Sequence, residues 1–355
     1  MIARMIAVAA VATLALSGCS AMPYYWQAAN GQLDLWRRSR PIDQWLADPV
    51  ADESLKARLT EVQRIRDFAT RNLGLPNNGS YRSYADLGRP YVAWNAFAAP
   101  ELSLEAKEWC FPIAGCVTYR GYFSEREARE FTSELAGEGY DTYVGGVPAY
   151  STLGWFDDPV PSTIVEYPDT EVARLIFHEL AHQVVYVKDD TTFNESFATT
   201  VEQEGVRRWV TAQNAPGKLA QFEQSNAERR QFVDLVLKYR DRLEEIYALP
   251  SADSEKRAEK ARTIAAMRAE YAEVKGRAGG VGRYEFWFAG PVNNAQIVSV
   301  ASYTQQVPAF LALLAQENGD MKRFYAAAKV LAELPKAERH AKLEGLGEKV
   351  TTAAR

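Results

Sequence analysis

The sequence predicts an α+β protein, with a small mixed sheet ahead of a mostly helical C-terminal half. Three observations predict it. Between Tyr81 and Tyr150, short runs alternate apolar and polar residues, the period of half-buried strands. Near residue 178 the spacing changes: Val172, Leu175, Ile176 and Leu180 recur as on one face of a buried helix. Beyond residue 219 the chain is dominated by long, charged, helix-period stretches.

The chain has 355 residues, 47% hydrophobic and 25% charged, which is ample for a large core. Its formal net charge of −5 implies no basic face, so nucleic acid is excluded as an expected partner. The first 18 residues read as a targeting segment, with Arg4 as its basic start and Met5 to Leu16 as a short apolar run. That run is too short to span a bilayer, and no later apolar run is expected to do so. It ends Leu16-Ser17-Gly18-Cys19, which resembles the lipobox of bacterial lipoproteins. The resemblance implies lipidation of Cys19, a lipid-anchored partnership with a membrane and a cell-envelope location. Ser20, in place of the retention Asp, implies the outer membrane facing the periplasm.

Residues 19–80 read as an N-terminal helical segment. Its start is rich in aromatics, Tyr24, Tyr25, Trp26, Trp36 and Trp45, which suit packing on the main body or an interfacial element. Leu55, Leu59, Val62, Ile65, Phe68 and Ala69 then mark an amphipathic helix over 53–73 that stops at Gly74. Residues 81–168 hold the sheet. Tyr91–Ala98 and Val117–Phe123 alternate, Ser124 and Glu127 open a helix as a capping box, and Tyr140–Tyr150 reads as a strand broken at Gly145-Gly146. Cys110 and Cys116 lie close in sequence across turn residues. In an oxidising compartment they are expected to form a disulfide.

Residues 169–355 form the expected metal-binding helical part, and the chemistry is concentrated there. Two of the chain's three histidines, His178 and His182, stand four apart, so a helix puts both imidazoles on one face. Glu179 adjoins the first and can act as general base for a metal-activated water. A zinc site needs a third protein ligand and an open position. After the turn-like Lys188-Asp189-Asp190 comes Thr192-Phe193-Asn194-Glu195-Ser196-Phe197-Ala198, where Asn194 reads as the cap of a second helix with Glu195 in its first turn. The pairs 219–248 and 254–276 then read as a helical hairpin, Gly279, Gly280 and Gly282 as a loop, and 293–301, 305–317 and 319–333 as closing helices.

His-Glu-Leu-Ala-His-Gln followed by Asn-Glu-Ser-Phe-Ala resembles the gluzincin metallopeptidases, and the one-zinc aminopeptidases among them in particular. Most of the mature chain, including Tyr150–Pro159 and Asn293-Asn294-Ala295, is similar to a family of bacterial lipoproteins regarded as zinc aminopeptidases. The resemblance implies a gluzincin-like core, Zn2+ on His178, His182 and Glu195, Glu179 as base, and peptide or protein as substrate. Gluzincins space the second His and the Glu by about eighteen residues, whereas twelve residues separate His182 from Glu195. Glu202 stands at the conventional distance and is the fallback ligand. An edge strand that pairs with substrate is expected around Tyr150, Ser151, Thr152, Leu153 and Gly154, with Asn293 and Asn294 beside it. Tyr303, ahead of Tyr284, is the expected donor to the oxyanion, and His340 reads as a surface histidine. Three functions stay open on the sequence: aminopeptidase, membrane-tethered endopeptidase or quality-control protease, and a non-catalytic zinc-stabilised scaffold.

Overall fold

The computed structural model describes residues 22–112, 115–277 and 284–353. The expected leader, Cys19 and the glycine loop at 279–282 lie outside them. The fold is α+β with helix predominating, as expected, but the strands form three small sheets instead of one mixed sheet.

Residues 22–38 form the first helix, α1. A three-stranded mixed sheet follows, built from β1 (Ser39–Pro41), β2 (Ser83–Ala85) and β8 (Val160–Pro161). Between its strands run the short α2 (Ile42–Leu46) and the long α3 (Glu53–Leu73). Asp52 caps α3 by accepting from the Ser54 and Leu55 amides, and Gly74 ends it in the left-handed conformation that a residue with no Cβ adopts at no steric cost.

The central sheet is antiparallel in the order β6 (Arg120–Tyr122), β3 (Ala93–Pro100), β7 (Tyr140–Val147). β7 runs unbroken through Gly145 and Gly146, correcting the expected interruption. Its eight residues all pair with β3, and the Tyr91 ring lies where a Cβ on Gly146 would stand. The Gly-Gly pair thus serves close packing over the strand, not a turn. α4 (Glu125–Gly137), capped by Ser124, packs on this sheet. β4 (Trp109–Phe111) and β5 (Gly115–Val117) form a two-stranded hairpin in which Cys110 faces Cys116 and the two are disulfide-bonded, as expected.

After the one-turn α5 (Ser162–Val165), two helices build the heart of the molecule: α6 (Asp169–Ala181) and α7 (Thr191–Ala212). They pack along each other and share the largest core, where Phe177 of α6 lies with Phe193 and Phe197 of α7, all fully buried. Gly205 of α7 sits where any Cβ would strike the Phe177 ring, so the two helices can approach only with glycine there.

α8 (Pro216–Ala248) and α9 (Asp253–Arg277) form the expected hairpin, with a second apolar cluster around Phe232, Trp287 and Phe288. α10 (Glu285–Ala289) leads to α11 (Asn294–Thr304), α12 (Val307–Gln316), α13 (Met321–Ala332) and α14 (Lys336–Ala353). The stretch Asn294–Gln316 does reach membrane-spanning length and hydropathy, contrary to the sequence reading. It is mostly buried, which is equally what a core segment of a globular protein shows. Phe310 of α12 and Phe324 of α13 pack on Phe197, so these helices complete the core behind the His178–His182 segment.

Candidate metal centre

α6 carries the motif at its C-terminal end. His178 lies in the last turn and His182 is the C-cap residue. The helical repeat sets the two rings on one side, with Nε2 of His178 and Nε2 of His182 3.2 Å apart. The chain reverses over residues 183–190 and enters α7. Asp190, not Asn194, caps α7, accepting from the Phe193 amide. Asn194 is already inside the helix and clamps the reversal, since its side chain bonds both the amide and the carbonyl of Val187 at 2.7 Å. That clamp fixes where α7 starts relative to the end of α6. It therefore fixes where Glu195, the next residue, projects.

Glu195 Oε2 lies 3.2 Å from His178 Nε2 and 3.7 Å from His182 Nε2. One donor atom from each of these three buried residues falls within 4.8 Å of the others, so the three can hold a metal ion. The spacing fits the donor set. Four-coordinate zinc with bonds of about 2.0–2.1 Å holds its ligand atoms roughly 3.3 Å apart. Burial pushes His182 down to about 4, which leaves its imidazole neutral and able to coordinate. Burial would raise the Glu195 carboxyl, but His182 and His178 together hold it below its ordinary value, so it stays anionic.

Glu202 takes a different place. Its carboxylate lies 2.9 Å from Nδ1 of His178, the ring nitrogen on the far side from the cluster. Its other oxygen receives Arg229 at 2.9 Å and faces Arg174 at 3.5 Å. Against the effect of burial, Arg174, His178 and Arg229 hold Glu202 down to about 2. The fallback ligand is thus engaged with the histidine that it orients. For His178 itself burial lowers proton affinity, but Glu195 and Glu202 outweigh it and raise the ring to about 10, so a metal binding at Nε2 would displace a proton there.

Glu179 is buried beside this cluster, and burial lifts its carboxyl to about 8. His178 lowers it, while the neighbouring charges of Glu195, Asp158 and Glu202 raise it further. A carboxyl held near neutrality can take up and release a proton at physiological pH.

Tyr303 of α11 lies against α7, where its carbonyl accepts from the Thr199 hydroxyl, one turn past Glu195. Burial, then the charges of Glu195, Tyr119 and Glu179, raise its phenol well above 10, and the Asn95 side chain on β3 offsets a small part of that rise. Tyr119, between β5 and β6, feels Glu195 and Glu179 too, and was not identified from sequence. No motif marks it. The only local cue is its position three residues after the disulfide-bonded Cys116. Tyr284, the second expected donor, instead stacks on Phe232 at 3.9 Å in the other apolar cluster.

Residues 150–154 form a loop, not an edge strand. The Asp158 carboxylate accepts from both the amide and the hydroxyl of Thr152, closing the loop on itself, and Leu153 and Gly154 adopt positive φ, which no strand permits. The loop still borders the site: Gly154 packs against Gln183, the neighbour of His182, and Tyr150 passes its carbonyl to the Tyr81 hydroxyl. Ser151 receives the Leu153 amide on its hydroxyl. Asn293 and Asn294 are taken up by packing. Asn293 caps α11 and bonds the Thr142 carbonyl, and Asn294 donates to the carbonyls of Pro100, Glu101 and Ser103, fastening α11 to the end of β3. His340 is not a free surface histidine. With Arg339 it holds the Asp190 carboxylate at 2.6–2.9 Å, tying α14 to the start of α7.

A family model described as putative aminopeptidase matches residues 23–343. No curated protein and no solved structure matches the chain.

Proposed function

The chain belongs to this family of putative aminopeptidases, and on that premise we propose that it hydrolyses peptides with a zinc ion on His178, His182 and Glu195. The observation that carries the reading is the convergence of those three buried donors beside a further buried carboxyl, Glu179, whose proton affinity lies near neutrality. A purely structural zinc site has no use for such a base. When bound, the metal supplies Lewis acidity toward a peptide carbonyl and makes a water proton easier to remove.

The chain's own residues do the rest. Glu179 takes the water proton and delivers it to the departing amine. Tyr303 donates its hydroxyl to the developing oxyanion, a role that needs a phenol kept protonated, as its buried surroundings ensure. Glu202 accepts the Nδ1 proton of His178, which leaves Nε2 as the coordinating nitrogen. Exopeptidase action at the free N-terminus follows the family description. Location in the cell envelope through a lipidated Cys19 is the proposal that the leader resemblance supports, and an acylated N-terminal fragment beginning at Cys19 in mass spectrometry tests it.

The chemistry is tested by metal content and turnover of a mixed peptide library. Wild type should carry one zinc per chain and cleave. Glu179→Gln should retain the metal, because Glu179 is not a ligand, and lose roughly 10²-fold or more in rate. Full activity in Glu179→Gln would sink the hydrolytic mechanism and favour the scaffold reading. Cleavage of N-blocked and free peptides alike would replace the aminopeptidase assignment with an endopeptidase.

A further inference from the structure

α1 is fastened to the body by one side only. On that side Tyr24 packs against Phe111 and Tyr122, and Leu35 is buried. Gln27 acts as a substitute strand: its amide donates to the Gly121 carbonyl and accepts from the Phe123 amide along the open edge of β6. Gly31 lies against the Phe123 ring, where no Cβ would fit.

The opposite side is solvent-facing and has the wrong composition for water. Met22, Trp26, Ala29 and Leu33 follow at spacings of four, three and four, which makes one continuous helical stripe, and all four are exposed. Trp26 is 70% exposed, and Tyr25 is exposed beside it. A surface helix ordinarily turns polar residues outward. The stripe then continues onto another part of the chain. Trp36, one turn beyond Leu33, contacts Phe156 at 4.4 Å, and next to Phe156 stands Trp155, 66% exposed. Six of the large exposed apolar side chains among the described residues therefore lie on α1 and the 151–158 loop: Met22, Tyr25, Trp26, Leu33, Trp155 and Phe156.

We infer that this face lies on a lipid bilayer, with its tryptophans at the level of the head groups. The mix of residues favours lipid over a protein partner: Trp and Tyr, apolar in body and polar at the tip, concentrate at membrane interfaces. Exposed Arg37, one turn beyond Leu33, closes the C-terminal end of the stripe and suits anionic head groups. Chain position points the same way, and here the inference rests on the envelope reading above. Met22 is three residues after Cys19, so an acyl group there would hold the start of α1 within a few residues of the bilayer. A weak interfacial contact is then populated by its high effective concentration. One consequence concerns the site. The loop that bears Trp155 and Phe156 also bears Gly154, packed on Gln183 beside the metal ligands. Docking the aromatic face therefore brings the loop that borders the metal centre to the membrane surface.

The full chain, purified and reconstituted into phosphatidylcholine–phosphatidylglycerol vesicles, tests this with lipids brominated on their acyl chains as quenchers. Brominated vesicles should quench the tryptophan emission of the wild type. Trp26→Phe and Trp155→Phe should each lose a share of that quenching, whereas Trp209→Phe, which alters a buried core tryptophan, should lose none. Lipid-dependent quenching that is unchanged in both Trp26→Phe and Trp155→Phe overturns the inference. Mass spectrometry of the same preparation reads acylation of Cys19 separately, so failure of the envelope reading and failure of the docking face are distinguishable.

Discussion

Glu202→Gln separates orientation of a ligand from ligation. Glu202 sits 2.9 Å from Nδ1 of His178 and receives Arg229 at 2.9 Å, with Arg174 at 3.5 Å. The amide keeps the shape and one acceptor but removes the charge. Two effects follow. A partner of a metal-bound histidine typically contributes 10- to 100-fold in metal affinity, which corresponds to about 1.4–2.8 kcal/mol. Breaking a buried ion pair costs about 3–5 kcal/mol of stability. The lower end applies here, because the Arg229 side chain is 33% exposed and water can solvate it. Zinc affinity, measured by competition with a chromophoric chelator, should therefore fall 10- to 100-fold in Glu202→Gln while binding stays at one ion per chain. Glu195→Gln should weaken binding further, because it removes a coordinating charge. Denaturant unfolding of the metal-free forms should show Glu202→Gln less stable by about 3 kcal/mol. The assignment is refuted if Glu202→Gln empties the site while Glu195→Gln leaves it filled, since Glu202 would then be the ligand.

Three further outcomes are expected. Tyr303→Phe should lower kcat by about 10²–10³ with little change in KM, the pattern of a donor that acts mainly in the transition state; an equal loss from Tyr284→Phe would argue against the choice of Tyr303. Asp190, held below its ordinary 3.8 by His340 and Arg339 against the effect of burial, contributes stability that is present above that pH and fades as the pH falls below it. The stability difference between wild type and Asp190→Asn should accordingly be largest near neutrality and narrow below pH 4 in acid-unfolding titrations; a gap independent of pH would rule out the carboxylate as its source. Cys110→Ser with Cys116→Ser should cost about 2 kcal/mol, because the bridge closes a short loop, and alkylation of both thiols in the native, unreduced wild type would exclude the bridge.

What could be read from the chain alone was local. His178, Glu179 and His182 are set by the repeat of one helix, and that repeat is visible in the sequence. The disulfide joins cysteines six apart across a turn, again a short-range matter. The two long helices and their hairpin follow from periodicity and from the Pro250-Ser251 break between them. Asp190 and Asn194 are both good caps for α7, and Asp190 takes the position because Asn194 finds the Val187 backbone across the reversal.

Tertiary structure decided the rest. Glu195 and Glu202 are seven residues apart on α7, two turns of one face, so no periodicity can choose between them. The crossing of α6 over α7 brings Glu195 to the Nε2 side of His178 and Glu202 to the Nδ1 side. Tyr119, Tyr303 and Asn95 come from three separate elements, and their meeting near Glu195 depends on how α11 lies over the central sheet. The 150–154 segment has the composition of a strand, yet Asp158 draws it into a loop by taking up the Thr152 amide and hydroxyl. Side-chain chemistry at short range is written in the order of residues; which of two equivalent carboxylates meets which ring nitrogen depends on how two helices pack.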